Sequence, residues 1–210
     1  MFPPLYAILN PDLTNEPIVS IGEKLAGAGV RLVQLREKHA AARKIYEDSR
    51  QLIECLTPRG VRVIVNDRPD IAAILGAGGV HVGQDDIPVE AARKICGSNT
   101  WVGVSTHNLA QLREADGTSA DYIAVGPIFP TATKENPDPV VGIDFLRAAR
   151  KLTRKTLVAI GGITVESAGE VFRAGADSVA VIRDIIAAAD PAARAAEYLA
   201  IAERVVSARS

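Results

Sequence analysis

The sequence predicts an α/β protein, a single (β/α)8 barrel of the TIM type spanning residues 1–210, and three observations carry that expectation. Short β-branched runs recur eight times along the chain. Segments with apolar residues at three- and four-residue spacing lie between them, the pattern of amphipathic helices packed on a sheet. The runs are apolar without strict polar alternation, as parallel strands covered by helices are, and eight such units in a chain this short favour closure over an open doubly wound sheet.

In chain order the strands are expected at Leu5 to Leu9, Arg31 to Arg36, Val61 to Asn66, Gly79 to Gly83, Trp101 to Thr106, Asp121 to Gly126, Leu157 to Gly161 and Ser178 to Ile182. Ile18, Ile21, Leu25 and Ala28 make a helical stripe after the first strand, and Ala195, Leu199, Ala202 and Val206 make another near the end. Small-residue signals precede three strands, at Gly27-Ala28-Gly29, Gly76-Ala77-Gly78 and Ala174-Gly175-Ala176, where a helix must stop and the chain turn sharply.

With 24 Lys and Arg against 25 Asp and Glu, the net charge of −1 draws the chain to neither nucleic acid nor anionic lipid. Any anion it binds must be held by a local cluster. No signal-peptide pattern and no membrane-length apolar run is present, so a cytoplasmic protein is expected. Cys55 and Cys96 fall in helical segments and read as reduced core residues, with no zinc-ligand spacing.

In such a barrel the strand carboxyl ends carry function, and polar residues cluster there. In Leu32-Val33-Gln34-Leu35-Arg36-Glu37-Lys38, side-chain alternation puts Gln34, Arg36 and Lys38 on one face, a cradle for diphosphate. The structural alternative is a buried ion network with Glu37 or another carboxylate. Val65-Asn66-Asp67-Arg68-Pro69 places an amide and a carboxylate at the next tip, just before a helix expected to start at Pro69, which Asp67 would otherwise cap.

Gly83-Gln84-Asp85-Asp86 follows the fourth strand, so Asp67 and either Asp85 or Asp86 are placed to share Mg²⁺, with diphosphate oxygens and waters completing its shell. His81 reads as a hydrogen-bonding core or rim residue. In Gly103-Val104-Ser105-Thr106-His107-Asn108, Ser105 suits a phosphate, while Thr106 and Asn108 suit a helix cap. The loop Gly126-Pro127-Ile128-Phe129-Pro130-Thr131-Ala132-Thr133-Lys134 offers two hydroxyls and an ammonium on a lid. Gly161-Gly162 and Ile182-Arg183 end the last two strands, where backbone amides commonly bind phosphate in this fold.

Taken in order, Gln34 to Lys38, Val65 to Asp67, Gly83 to Asp86, Gly103 to His107, Gly126 to Lys134 and Ile160 to Ile163 closely resemble the thiamine phosphate synthase family, nearly end to end. The resemblance implies a transferase that joins 4-amino-2-methyl-5-(diphosphooxymethyl)pyrimidine to a thiazole phosphate, giving thiamine phosphate and diphosphate by a dissociative route. It assigns Gln34, Arg36, Lys38, Asn66, Ser105 and Lys134 to the pyrimidine diphosphate, with Arg36, Lys38, Ser105 and Lys134 as its catalytic groups. Asp67 and Asp86 go to Mg²⁺, and Thr131, Thr133, Gly162, Ile182 and Arg183 to the thiazole phosphate. Arg183 departs from the serine that some members carry there. The expected partners are small-molecule substrates, with neither nucleic acid nor membrane, and a homo-oligomer is left open. Two rivals are a thiazole tautomerase, for which His107 would serve, and a barrel that binds thiamine phosphate or the thiazole without turning it over.

Overall fold

A computed structural model describes residues 2–131 and 138–207. Eight parallel strands close into a barrel in the order β1 to β8, each paired with the next and β8 with β1. The strands are β1 (Leu5–Leu9), β2 (Leu32–Leu35), β3 (Arg62–Asn66), β4 (Gly79–Val82), β5 (Trp101–Thr106), β6 (Tyr122–Val125), β7 (Thr156–Ile160) and β8 (Ser178–Val181). All eight expected strands are present, most of them trimmed by a residue where the ladder gives way to a loop.

The helices that cover the barrel are α1 (Ile18–Gly27), α2 (Ala42–Leu56), α3 (Pro69–Leu75), α4 (Val89–Cys96), α5 (Leu109–Asp116), α6 (Gly142–Leu152), α7 (Val165–Arg173), α8 (Arg183–Ile186) and α9 (Pro191–Ser207). Among the described residues no helix is long and apolar enough to cross a membrane. Two local expectations divide. Asn108 caps α5 by accepting from the Gln111 amide at 2.9 Å, whereas the Thr106 hydroxyl is buried and donates to the Ala124 carbonyl at 3.1 Å. Helix α3 starts at Pro69 as expected, but its N-cap residue is Arg68, without a side-chain cap, so the Asp67 carboxylate is left for other work.

Alternation sorts the strand residues into two apolar clusters. Leu5, Ala7 and Leu9 of β1 pack outward against helices, with Val33, Leu35, Val63 and Val65. Tyr6 and Ile8 point inward and meet Leu32, Ile64, Tyr122, Ala124, Val158 and Ala180. This inner layer is the surface beneath the mouth.

Below it the barrel is plugged. The Phe2 ring stacks on Trp101 at 4.9 Å, and the Arg62 guanidinium lies 3.9 Å from the Trp101 centroid. Gly103 faces inward on β5 because the Tyr122 phenol occupies its side-chain space: a Cβ there would lie 2.0 Å from Tyr122 Cζ. Its absence lets a bulky aromatic lie across the barrel at that level.

Candidate active site

The strand carboxyl ends surround a cavity of about 790 Å³, and its walls include each predicted site residue that lies among the described ones. Gln34 enters from β2, and Arg36 and Lys38 enter from the segment just past its end, so all three reach the cavity as expected although only Gln34 lies in the strand. Asn66 and Asp67 come from β3, Asp86 from the turn after β4, and Ser105 from β5. Thr131, Gly162, Ile182 and Arg183 line the other side. Thr133 and Lys134 lie outside the described residues.

Glu37 does not join Arg36 and Lys38, but another carboxylate does, since Lys38 Nζ lies 3.2 Å from Asp67. Glu37 points away into the barrel wall, where Lys44 lies 3.3 Å from one carboxylate oxygen while the other, Oε2, has no hydrogen-bond partner. Burial, and next the negative charge of Asp48, raise its pKa above the usual carboxylate range against the pull of Lys44. Burial lowers the pKa of the Arg36 guanidinium from the free value, against the opposing pull of the negative charges of Asp67 and Asp12.

The two carboxylates expected at neighbouring tips meet. Asp67 adopts a left-handed backbone, φ 60°, which aspartate tolerates better than most residues and which tilts its side chain into the mouth. Its carboxyl is pushed up to about 6 by burial, then by a hydrogen bond with Asp86, against the opposing pull of Lys38, whose Nζ lies 3.2 Å away. The Asp86 carboxylate is fastened by the Gly83 amide at 2.7 Å. Asp85 is exposed and takes no part in this pair. Two adjacent carboxylates of all-oxygen character fit a hard divalent cation such as Mg²⁺. Among the described residues no group of three His, Cys, Asp or Glu assembles.

Gly161 and Gly162 carry positive φ of 98° and 63°. Packing explains both: a Cβ on Gly161 would sit 2.5 Å from Pro127 Cβ, and one on Gly162 would sit 2.4 Å from the Pro130 carbonyl oxygen. The glycines therefore let the β6 loop lie against the β7 loop, and that contact shapes this side of the cavity. Helix α8 begins at Arg183, so the amides of Ile182 and Arg183 stand at a helix start.

Several wall residues carried no motif in the sequence. Tyr6, Ile8, Ala124, Val158 and Ala180 form the deep apolar end, and Asp184 and Arg194 flank the far rim. Inward parity along the strands was the signal for the first five. Asp184 accepts from Tyr198 Oη at 2.7 Å, a contact between α8 and α9 that periodicity does not reveal. His107 is engaged by protein on both ring nitrogens, with Nδ1 2.6 Å from the Gly126 carbonyl oxygen and Nε2 3.5 Å from Asp138.

The closed barrel and its cation-lined, carboxylate-bearing mouth define an enzyme for phosphorylated small molecules. Residues 5–185 match the family model described as thiamine monophosphate synthase, and the chain belongs to that family. It is 50% identical over 204 residues to a thiamine-phosphate synthase of Koribacter versatilis, covering 95% of each chain. The corresponding protein of Chloroflexus aurantiacus is 46% identical over 173 residues, 82% of this chain and 80% of that one. Among solved structures, the thiamine phosphate pyrophosphorylase of Pyrococcus furiosus superposes with a TM-score of 0.87 at 33% identity, over 96% of each chain.

Proposed function

We infer that the protein joins the pyrimidine diphosphate to 4-methyl-5-(2-phosphooxyethyl)thiazole, giving thiamine phosphate and releasing diphosphate, in thiamine biosynthesis. Beyond family membership, one observation carries this reading: Arg36, Lys38, Asp67 and Asp86, drawn from three neighbouring strand tips, face a single cavity.

The aromatic ring of the first substrate fits the deep apolar end between Ile8, Ala124 and Val158, with Gln34 and Ser105 at its polar edges. Its diphosphate then lies beside Arg36, Lys38 and Asn66. As the carbon–oxygen bond breaks, the bonding pair leaves with the diphosphate, and the guanidinium and ammonium stabilise the growing negative charge. The thiazole nitrogen contributes its lone pair to the electron-poor carbon and forms the new carbon–nitrogen bond. Thr131, Gly162 and the amides of Ile182 and Arg183 hold the thiazole phosphate so that this nitrogen is directed at that carbon. No general base is needed, which agrees with a His107 already occupied by protein groups.

Asp67 and Asp86 would hold Mg²⁺, which when bound supplies further charge stabilisation to the leaving diphosphate. The reaction uses soluble phosphate esters and is assigned to the cytoplasm.

The test is to mix both substrates with the protein and Mg²⁺ and follow both products. The expected result is thiamine phosphate and diphosphate in equal amounts. Binding heat without diphosphate release would instead indicate a binding protein.

A further inference from the structure

Beneath the cavity, hydrogen bonds run unbroken across the barrel interior from β2 to β5. Gln34 Nε2 donates to Tyr6 Oη at 2.5 Å, and Tyr6 Oη lies 3.0 Å from Tyr122 Oη. Tyr122 Oη lies 3.1 Å from His81 Nδ1, and His81 Nε2 lies 2.8 Å from Ser105 Oγ. Gln34 and Ser105, the two ends, line the cavity, whereas Tyr122 does not.

Counting protons gives this chain a direction. An amide nitrogen only donates, so Tyr6 Oη accepts from Gln34 and its own proton passes to Tyr122. Tyr122 Oη, having accepted, donates to His81 Nδ1. An imidazole that accepts at Nδ1 carries its proton on Nε2 and gives it to Ser105 Oγ. The Ser105 hydroxyl proton is then left to point into the cavity. Both phenols stay protonated over any working pH, because burial above all raises their pKa values.

We propose that Tyr122 is a positioning residue for the reaction, relaying hydrogen-bond polarity from Gln34 and Tyr6 through His81 so that Ser105 is preset as a donor to the departing diphosphate. Its place is held by the inward-facing Gly103, which leaves room for the ring. Without the Tyr122 hydroxyl donating to Nδ1, the tautomer of His81 that carries its proton on Nδ1 and takes the Ser105 proton at Nε2 gains population. Ser105 would then turn its donor away from substrate. The proposal rests on the assignment of Ser105 to the pyrimidine diphosphate.

Tyr122→Phe removes only the hydroxyl and keeps the ring over Gly103. A double-mutant cycle with Ser105→Ala separates the possibilities. Tyr122→Phe alone should lower kcat about tenfold, the loss of one hydrogen bond to a charged group, while KM for the pyrimidine diphosphate moves less than about twofold. In the Ser105→Ala background the same change should cost less than about twofold. If the two losses multiply instead, Tyr122 does not act through Ser105 and the relay is wrong. A Ser105→Ala enzyme with undiminished kcat would overturn the assignment of Ser105 itself, a distinct failure. Nitrogen-15 NMR of His81 gives an independent readout: the wild type should carry its proton on Nε2, and Tyr122→Phe should shift part of the population to Nδ1. A wild-type His81 protonated on Nδ1 would overturn the relay whatever the kinetics of the variants.

Discussion

The Asp67 and Asp86 carboxyls meet across the gap between β3 and β4, and burial together with this contact pushes the Asp67 pKa up to about 6. Two carboxyl groups hold a proton between them when no stronger cation replaces it. If the pair holds the proposed Mg²⁺, proton and metal would compete there, and that competition orders the variants of the region.

Asp67→Ala and Asp86→Ala are each expected to lower turnover on the order of a hundredfold at saturating substrates, as removal of a metal ligand does. Asp85→Ala, altering an exposed neighbour, should stay within about threefold of wild type in the same assay. Equal, minor losses at all three positions would remove the basis for a metal at this pair.

Excess chelator should abolish diphosphate release, and added Mg²⁺ should restore it. A thiazole tautomerase has no diphosphate to neutralise. Isomerisation of thiazole phosphate that persists in chelator would therefore favour that rival chemistry.

Arg36→Lys keeps the charge but loses the planar fork beside Asp67. Because a guanidinium engages phosphate oxygens in pairs and an ammonium acts as a point charge, kcat should fall about tenfold to a hundredfold. Arg36→Ala should fall further. Pre-steady-state measurement of pyrimidine diphosphate cleavage checks whether the loss lies in the bond-breaking step.

Glu37 supplies a pH signature in stability. Its raised pKa means the folded protein holds that proton more tightly than the unfolded chain does. Its contribution is therefore fully present below the ordinary value of 4.5 and is lost as pH rises through the elevated one. Urea unfolding from pH 4.5 to neutrality should show wild type losing stability relative to Glu37→Gln. A constant difference across that range would contradict the buried position of this carboxyl.

Gly103→Ala should cost about 1–3 kcal/mol in unfolding free energy, since the new methyl meets the Tyr122 ring rather than a flexible chain end. Tyr122→Phe should not relieve it, because the clash with ring carbons remains. Chemical denaturation of the single and double variants checks both statements.

The barrel was legible because buried parallel strands read as apolar runs whatever their neighbours, and Leu5–Leu9 and Trp101–Thr106 match the expected spans residue for residue. Strand alternation likewise put Gln34, Arg36 and Lys38 on one face. It is no guide in the turn after β4, where it left Asp85 and Asp86 open; the resemblance pointed to Asp86, and Asp86 is the one that meets Asp67 in the structure. It also says nothing of which way a hydroxyl turns, and Thr106 spends its proton on a neighbouring strand. The pairing of Tyr6 with Tyr122 carried no signal in the sequence, because the bond between their hydroxyls joins residues 116 apart.

Among the described residues, the stack of Phe2, Trp101 and Arg62 fills the end of the barrel opposite the mouth. On the proposed substrate placement, molecules that enter and products that depart share the mouth as their doorway, and the ring that settles deepest would have to enter before a second guest lodges at the rim.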